Sequence, residues 1–147
     1  MFVRTKKRLN TLIDTLSSLI EVLCELDNWK DAVLDSLKVI EVILECVRGE
    51  EIQPVNSLEK AEELSEKLED LARNAHGITR DQVGSVLGAL EELKVLLNRE
   101  LVIKLNVAFL PYKVSMWDSL ETIYQTAAND KDCIAKVVPI PYYELEN

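Results

Sequence analysis

The chain has 147 residues, 48% hydrophobic and 29% charged, which suits one folded domain or a small domain with part of another. Its 26 acidic and 17 basic side chains give a net charge of −9, and this argues against a nucleic-acid-binding surface, because phosphate binding requires a basic face. No apolar run reaches the roughly 18 residues of a membrane span, so we expect a cytoplasmic protein.

The three cysteines show no metal-ligand spacing. Cys24 and Cys46 fall near opposite ends of two predicted helices, on the order of tens of ångströms apart at about 1.5 Å per residue, too far for a disulfide. We therefore expect Cys24, Cys46 and Cys133 to be buried, reduced thiols. We expect no metal and no cofactor.

The first two helices are predicted from their apolar periodicity. One runs from about Thr5 to Leu26, and the next follows Asp27 as its N-cap and stops at Gly49. The expected core positions of both recur at helical spacing. They are Leu9, Leu12, Ile13, Leu16, Leu19, Ile20 and Leu23 in the first, and Trp29, Val33, Leu37, Ile40, Leu44 and Val47 in the second.

Two further helices fill the rest of the first hundred residues. The third is expected to open at Asn56 and to close at Gly77, and Thr79 with Gln82 forms a capping box for the fourth. Their expected core positions are Leu58, Ala61, Leu64, Leu68, Leu71 and Ala75, followed by Val83, Val86, Leu87, Leu90, Leu93 and Leu97. Short joins between long helices predict an antiparallel four-helix bundle over residues 1–100.

Three residues of this region could signal something other than core packing. Gly84 and Gly88 lie on one helix face, where either another backbone approaches closely or the glycines are simply tolerated. His76 is the chain's only histidine, and its place at the end of the third helix favours interaction with the helix dipole. No serine or cysteine has a base beside it, so a catalytic triad is excluded.

From Leu101 onward the pattern changes to strand, helix and strand. An apolar run to Leu110 ends at Pro111, and Ser115 has the N-cap spacing of a helix start. A second apolar run extends from Ile134 to Ile140. About two dozen residues holding one helix between two such runs is the length of a parallel βαβ crossover. The expected fold is mainly α, with a helical bundle followed by one βαβ unit.

The phrases FLPYKVSMWDSLETIY and KVVPIPYYE resemble the start of the transferase region in the CDP-glycerol glycerophosphotransferase family, whose members make teichoic-acid-type polymers in Gram-positive bacteria. The likeness covers roughly Lys104 to Glu144. It implies that residues 101–147 are the truncated start of a Rossmann-like domain of the glycosyltransferase B type. It also implies transfer of glycerol phosphate from CDP-glycerol to a cell-wall polymer. The family's nucleotide-binding and catalytic residues lie beyond residue 147, so we expect this chain alone to be inactive.

The best candidate for substrate binding is the turn after the first strand. In open α/β sheets, ligands bind beyond the carboxyl ends of the strands, where backbone N–H groups of the next helix point outward. Tyr112, Lys113 and Ser115 occupy that turn. Lys113 could offer its charge to a phosphate above a helix capped by Ser115. The alternative is that Ser115 only caps the helix and Lys113 is simply exposed.

A non-catalytic interaction or oligomerisation module, with the helical bundle as its working part, is the second function class. Expected partners are the remainder of a longer parent protein and a second copy joined through exposed strand edges. The basic residues Arg4, Lys6, Lys7 and Arg8 precede an amphipathic helix and suggest peripheral contact with the inner face of a membrane.

Overall fold

The computed structural model describes residues 1–111 and 114–140, and within them the chain is mainly helical with one small parallel sheet. The chain divides into two compact units. One contains Met1 and Val3–Leu101, and the other contains Phe2 and the residues from Val102 onward. The sequence placed this boundary between residues 100 and 101.

The first unit consists of α1 (Val3–Glu21), α2 (Trp29–Arg48), α3 (Val55–Arg73) and α4 (Arg80–Glu100), with a 3₁₀ turn at Leu23–Glu25 between the first two helices. α1 and α3 each pack against both α2 and α4. The four helices therefore surround one shared core.

That core is built from the apolar stripe of each helix. At the positions named below, the sequence predictions of buried residues are confirmed. The buried residues are Leu9, Ile13, Leu16 and Ile20 of α1, Val33, Ile40, Leu44 and Val47 of α2, Leu64, Leu68 and Leu71 of α3, and Val86, Leu90, Leu93 and Leu97 of α4. Each removes a large aliphatic side chain from water, a gain of about 1.5–3 kcal/mol per residue.

The first helix ends five residues earlier than expected. Val22 leaves helical geometry at φ −97° and ψ 3°, and the chain tightens into the 3₁₀ turn at Leu23–Glu25. A 3₁₀ turn has three residues per turn and so changes which side chains face inward. Leu23 is fully buried, whereas Cys24 is exposed. The prediction that Cys24 is a buried thiol is therefore wrong.

Two predicted helix starts are also shifted. α2 follows Asn28 instead of Asp27, and α3 begins directly after Pro54, so that Asn56 lies inside its first turn. The capping box of α4 is confirmed. The Thr79 side chain accepts a hydrogen bond from the Gln82 backbone N–H at 3.2 Å, and the Thr79 N–H donates to the Gln82 side chain at 3.0 Å.

The loop between α3 and α4 starts before the expected glycine. α3 ends at Arg73, and the Asn74 side chain then accepts from the His76 N–H at 3.1 Å and donates to the Gly77 carbonyl at 2.8 Å. Gly77 adopts φ 93°, a left-handed conformation that favours glycine. His76 lies three residues beyond the helix and is exposed, so its predicted place at the helix end is wrong.

The second unit contains β1 (Leu105–Phe109), α5 (Val114–Asn129) and β2 (Cys133–Val137). The strands pair in parallel, with Leu105 opposite Cys133 and Phe109 opposite Val137. The predicted parallel βαβ arrangement is confirmed, although β1 begins at Leu105 and not at the start of the apolar run.

Pro139 follows β2 without interrupting its pairing. The N–H groups on either side of it face β1, since Val138 donates to the Phe109 carbonyl at 2.9 Å and Ile140 to the Pro111 carbonyl at 3.4 Å. Successive residues of an extended chain point their N–H groups to opposite sides. Pro139 therefore occupies an outward position, where its missing N–H removes no bond to β1.

Much of the apolar surface of the second unit is not covered. Phe109 is 7% exposed and is buried, but α5 has no buried residue among those that the structure describes. Exposed apolar side chains on and beside the strands are Leu105, Leu110, Ile134, Val137, Val138 and Ile140. The residues of this unit that the structure describes therefore form no closed core.

The glycine pair of α4 offers a test of the helix packing. Gly84 and Gly88 are exposed, and a Cβ placed at either position meets no atom within 4 Å. No backbone within residues 1–111 and 114–140 therefore approaches this face of α4 closely. Gly84→Ala and Gly88→Ala should each raise the free energy of unfolding by up to about 1 kcal/mol, because alanine restricts the unfolded chain and favours the helix.

Urea denaturation followed by circular dichroism measures this effect. Gly77→Ala is the matched control and should lower stability, because its φ of 93° strains any residue with a side chain. A lower unfolding midpoint for either helix variant would contradict the open environment that the structure gives these glycines.

Candidate functional site

The predicted substrate turn falls in the chain between β1, which ends at Phe109, and α5, which begins at Val114. Tyr112 and Lys113 fall outside the described residues, so their predicted role stays a prediction. Ser115 is exposed and is the second residue of α5, which begins at Val114. The expectation that Ser115 is the N-cap is therefore wrong by two positions. The first N–H groups of α5 have no acceptor within the helix and can meet an anion at this turn.

An aromatic cluster joins α5 to β1. The ring of Tyr124 packs edge-on against Phe109 of β1, with ring centroids 5.5 Å apart and planes at 86°. Tyr124 also contacts Trp117 in the second turn region of the helix, with centroids 5.3 Å apart. Such pairs contribute about 0.5–1.5 kcal/mol beyond the area they bury. The contact of Tyr124 with Phe109 holds the middle of α5 beside the carboxyl end of β1, and the contact of Tyr124 with Trp117 lies within the helix.

The sequence did not predict the contact of Trp117 with Tyr124. The predicted stripe of α5 contained Met116, Leu120, Ile123, Tyr124 and Ala127, but Ile123 is 59% exposed. A stripe that begins at Trp117 and continues through Leu120, Tyr124 and Ala127 also has helical spacing. The large indole ring of Trp117 is the feature of the sequence that favours this stripe.

A cluster of paired charges links α3 to α4. The Lys60 ammonium contacts Glu92 at 2.5 Å and Glu63 at 3.0 Å, and Lys67 contacts Glu63 at 3.2 Å. Hydrogen bonds to Glu92 and then Glu63 raise the pKa of Lys60. Hydrogen bonds from Lys60 and then Lys67 lower the pKa of Glu63. Both shifts favour the charged forms of Lys60 and Glu63, an arrangement that suits packing between helices and not proton transfer.

Two open clefts of about 330 and 430 Å³ lie along the same pair of helices. The first is bordered by Lys60, Glu63 and Glu92, and the second by Lys67 and Ser85, whose side chains bond each other at 3.2 Å. Within residues 1–111 and 114–140, every buried side-chain nitrogen and oxygen has a hydrogen-bond partner. Neither cleft presents a buried group that requires a ligand.

Three hydrogen bonds join the carboxylate of Glu100, at the end of α4, to the start of α3. One carboxylate oxygen accepts from the Asn56 side chain at 2.6 Å, and the other accepts from the Ser57 N–H at 2.8 Å and the Ser57 hydroxyl at 2.5 Å. Ser57 is buried. The first N–H groups of a helix need acceptors from outside it, and Glu100 supplies this cap from a different helix.

The charge state of Glu100 follows from these bonds. Partial burial acts to raise its pKa, but the bonds donated by Ser57 and Asn56 together outweigh burial and hold the pKa below its ordinary value of 4.5. Glu100 is therefore ionised when the site is formed at neutral pH. Sequence reasoning assigned Asn56 the capping role, whereas Asn56 donates to the group that provides the cap.

Among the described residues, no group of three or more His, Cys, Asp or Glu side chains is arranged to bind a metal ion. None of the described helices combines the length and the apolar content needed to cross a lipid bilayer.

Comparisons with protein-family models, with curated proteins and with solved structures gave no match to this chain. The likeness to glycerophosphotransferases consequently rests on the phrases FLPYKVSMWDSLETIY and KVVPIPYYE alone.

Replacement of Glu100 tests the cap. Glu100→Gln should lower the free energy of unfolding at pH 7 by about 1 kcal/mol, the usual cost of a lost N-cap. The folded-state pKa is depressed, so the stabilisation is complete above 4.5 and is lost as the pH falls through the lower folded value. The wild type and the variant should therefore become equally stable in acid.

Urea titrations between pH 7 and pH 3 measure both stabilities. Glu66→Gln, which changes an exposed glutamate in the middle of α3, is the control and should have little effect at any pH. A Glu100→Gln variant as stable as the wild type at pH 7 would show that the contact contributes nothing.

Proposed function

We propose that this chain is the N-terminal part of a transferase that moves glycerol phosphate from CDP-glycerol onto a teichoic-acid-like polymer, with the nucleotide-binding and catalytic residues outside residues 1–147. In this proposal, α1–α4 form an antiparallel four-helix bundle, and β1, α5 and β2 are the first unit of a Rossmann-like layer of the glycosyltransferase B type. The observation that carries the proposal is a parallel βαβ unit without enough cover for its apolar surface.

Physical chemistry supports a larger sheet. Purely parallel sheets occur with helices on both faces, and two strands alone are too few for independent stability in water. Here one helix packs on the pair, and α5 itself has no buried residue among those described. Further strands and a second layer of helices would cover the exposed residues Leu105, Ile134 and Val138.

The contacts of the first unit support an antiparallel bundle. Glu100 near the end of α4 bonds to Ser57 near the start of α3, and Arg48 at the end of α2 pairs with Glu62 of α3 at 3.1 Å. Lys6 near the start of α1 reaches the carbonyl of Asn98 near the end of α4 at 2.9 Å. The bonds of Glu100 and Lys6 join opposite ends of neighbouring helices, and Arg48 joins the end of α2 to the first half of α3, as an up-and-down arrangement requires.

The proposed role of the turn after β1 is to hold a phosphate. Lys113 would supply positive charge, Tyr112 a polar ring, and the first turn of α5 around Ser115 its outward N–H groups. The contact of Tyr124 with Phe109 holds the middle of α5 against β1, which supports a binding role because an anion site needs donors on a fixed helix.

Kinetics on the longer protein test this role. Lys113→Ala should lower kcat/KM for CDP-glycerol-dependent transfer about tenfold to a hundredfold, the effect of one charge-assisted hydrogen bond. Lys131→Ala, in the exposed turn before β2, removes an equal charge at the other end of the sheet and is the control. Equal transfer kinetics for Lys113→Ala and the wild type would exclude Lys113 from the site.

The second candidate function is a non-catalytic interaction or oligomerisation module. It is favoured by the distribution of buried residues. Among the described residues, every buried apolar side chain except Phe109 lies within Met1–Leu101, so the helical unit has its own core. The DNA beyond codon 147 distinguishes the two functions, because a reading frame that continues into the transferase motifs supports the enzyme and a stop codon supports the module.

A peripheral membrane contact is a further part of the proposal. Arg4, Lys7 and Arg8 are exposed at the start of α1, beside Phe2 and Val3, which are 64% and 51% exposed. Exposed apolar residues next to basic ones suit the surface of an anionic bilayer. Lys6 is half-buried and bonded to backbone carbonyls, so it contributes less to this patch than the sequence suggested.

Vesicle co-sedimentation tests the contact. Replacing Arg4, Lys7 and Arg8 by glutamine should weaken binding to phosphatidylserine-containing vesicles about a hundredfold, at about 1 kcal/mol per charge. The control replaces Lys104, Lys131 and Lys136 and so removes the same charge elsewhere. If both triple variants and the wild type pellet equally, the N-terminal patch does not bind lipid.

A further inference from the structure

The outer edge of β1, on the side away from β2, exposes a row of backbone groups. The Leu105 N–H donates to the Asp132 carbonyl, and the Phe109 and Pro111 carbonyls both accept from the chain of β2. Successive residues of an extended chain point their backbone groups to opposite sides, so the residues between these positions face outward. They are Asn106, Ala108 and Leu110. Among the described residues, no third strand pairs with this edge.

The outer edge of β2 is less suited to pairing. Val138 and Ile140 donate to the chain of β1, which places Pro139 outward between them. Ala135 also faces outward, but Pro139 has no N–H to offer a further strand. β2 contains the charged residue Lys136 as well, and proteins commonly use lysine and proline to prevent pairing at an exposed edge. β1, with the sequence LNVAF, contains neither.

The outer edge of β1 is complementary to a second copy of itself. In an antiparallel pair centred on Ala108, the two copies of Ala108 lie opposite each other, and Asn106 of each copy lies opposite Leu110 of the other. Every outward N–H and C=O group of these three residues then has a partner. Ala108 is exposed, and its small side chain allows close approach at the centre. Residues 105–111 carry no charge, so this pairing opposes no like charges.

We propose that residues 1–147 form a symmetric dimer in which the β1 strands of two copies pair antiparallel about Ala108. The result is one continuous sheet with β2 at both of its outer edges. Because each copy uses its open edge and leaves only the edge with Lys136 and Pro139, the assembly closes at two copies. α5 packs more extensively on β2 than on β1, which leaves room for the second copy beside β1. This dimer does not rest on the transferase proposal.

Matched proline substitutions in the two strands test which edge pairs. Ala108→Pro removes an outward N–H from β1 and Ala135→Pro removes one from β2, so neither removes a bond between the strands. In sedimentation equilibrium on the full chain, the wild type should dimerise with a dissociation constant below about 1 mM. Ala108→Pro should raise this constant about a hundredfold, because each copy loses a central hydrogen bond. Ala135→Pro should leave it unchanged.

Cysteine cross-linking tests the register. Cys24 is exposed, so the background is Cys24→Ser. In this background, Ala108→Cys places two thiols opposite each other across the dimer, with Cα atoms about 5.5 Å apart and within reach of a disulfide. Mild oxidation should convert this variant to a covalent dimer. Ile134→Cys, an exposed position in β2, is the control and should stay monomeric in denaturant, because both β1 strands separate it from its copy.

Three results would overturn the proposal. The first is a wild type that stays monomeric throughout this concentration range. The second is growth into larger oligomers, which requires both edges of the sheet. The third is a loss of dimer in Ala135→Pro equal to that in Ala108→Pro. If circular dichroism shows that Ala108→Pro does not fold, the cross-linking variants decide, and an Ala108→Cys variant that forms no more covalent dimer than Ile134→Cys excludes the pairing.

Discussion

The ends of a helix leave backbone N–H and C=O groups without partners inside the helix. In the first unit of this chain, side chains from other helices bond some of these groups and so link the helices to one another. α4 begins with a local solution, the reciprocal bonds of Thr79 and Gln82. The start of α3 and the end of α4 are satisfied at long range instead, by Glu100 and Lys6. Because each of these side chains belongs to a different helix from the one it caps, the helix lengths depend on the packed arrangement and not only on the local sequence.

The two units differ in how completely they bury their apolar residues, and this difference bears on function. The helical unit buries a stripe from each of its four helices, whereas the βαβ unit buries Phe109 and leaves Leu105, Ile134 and Val138 open among its described residues. A functional site in the second unit would need partners to complete the sheet. That need favours the transferase proposal over the module for residues 101–147, while the self-contained core of the helices is compatible with both.

Local patterns in the sequence were sufficient for some features and not for others. Two apolar runs separated by one helix predicted the parallel pairing of the two strands, which the structure shows with Leu105 opposite Cys133, because crossover length and strand direction are linked. The contacts that the sequence did not predict are tertiary: Glu100 with Ser57, and Phe109 with Tyr124. Periodicity gives the face that a residue occupies, but it does not give the distant partner, so Asn56 and Ser115 were assigned local caps that the fold does not use.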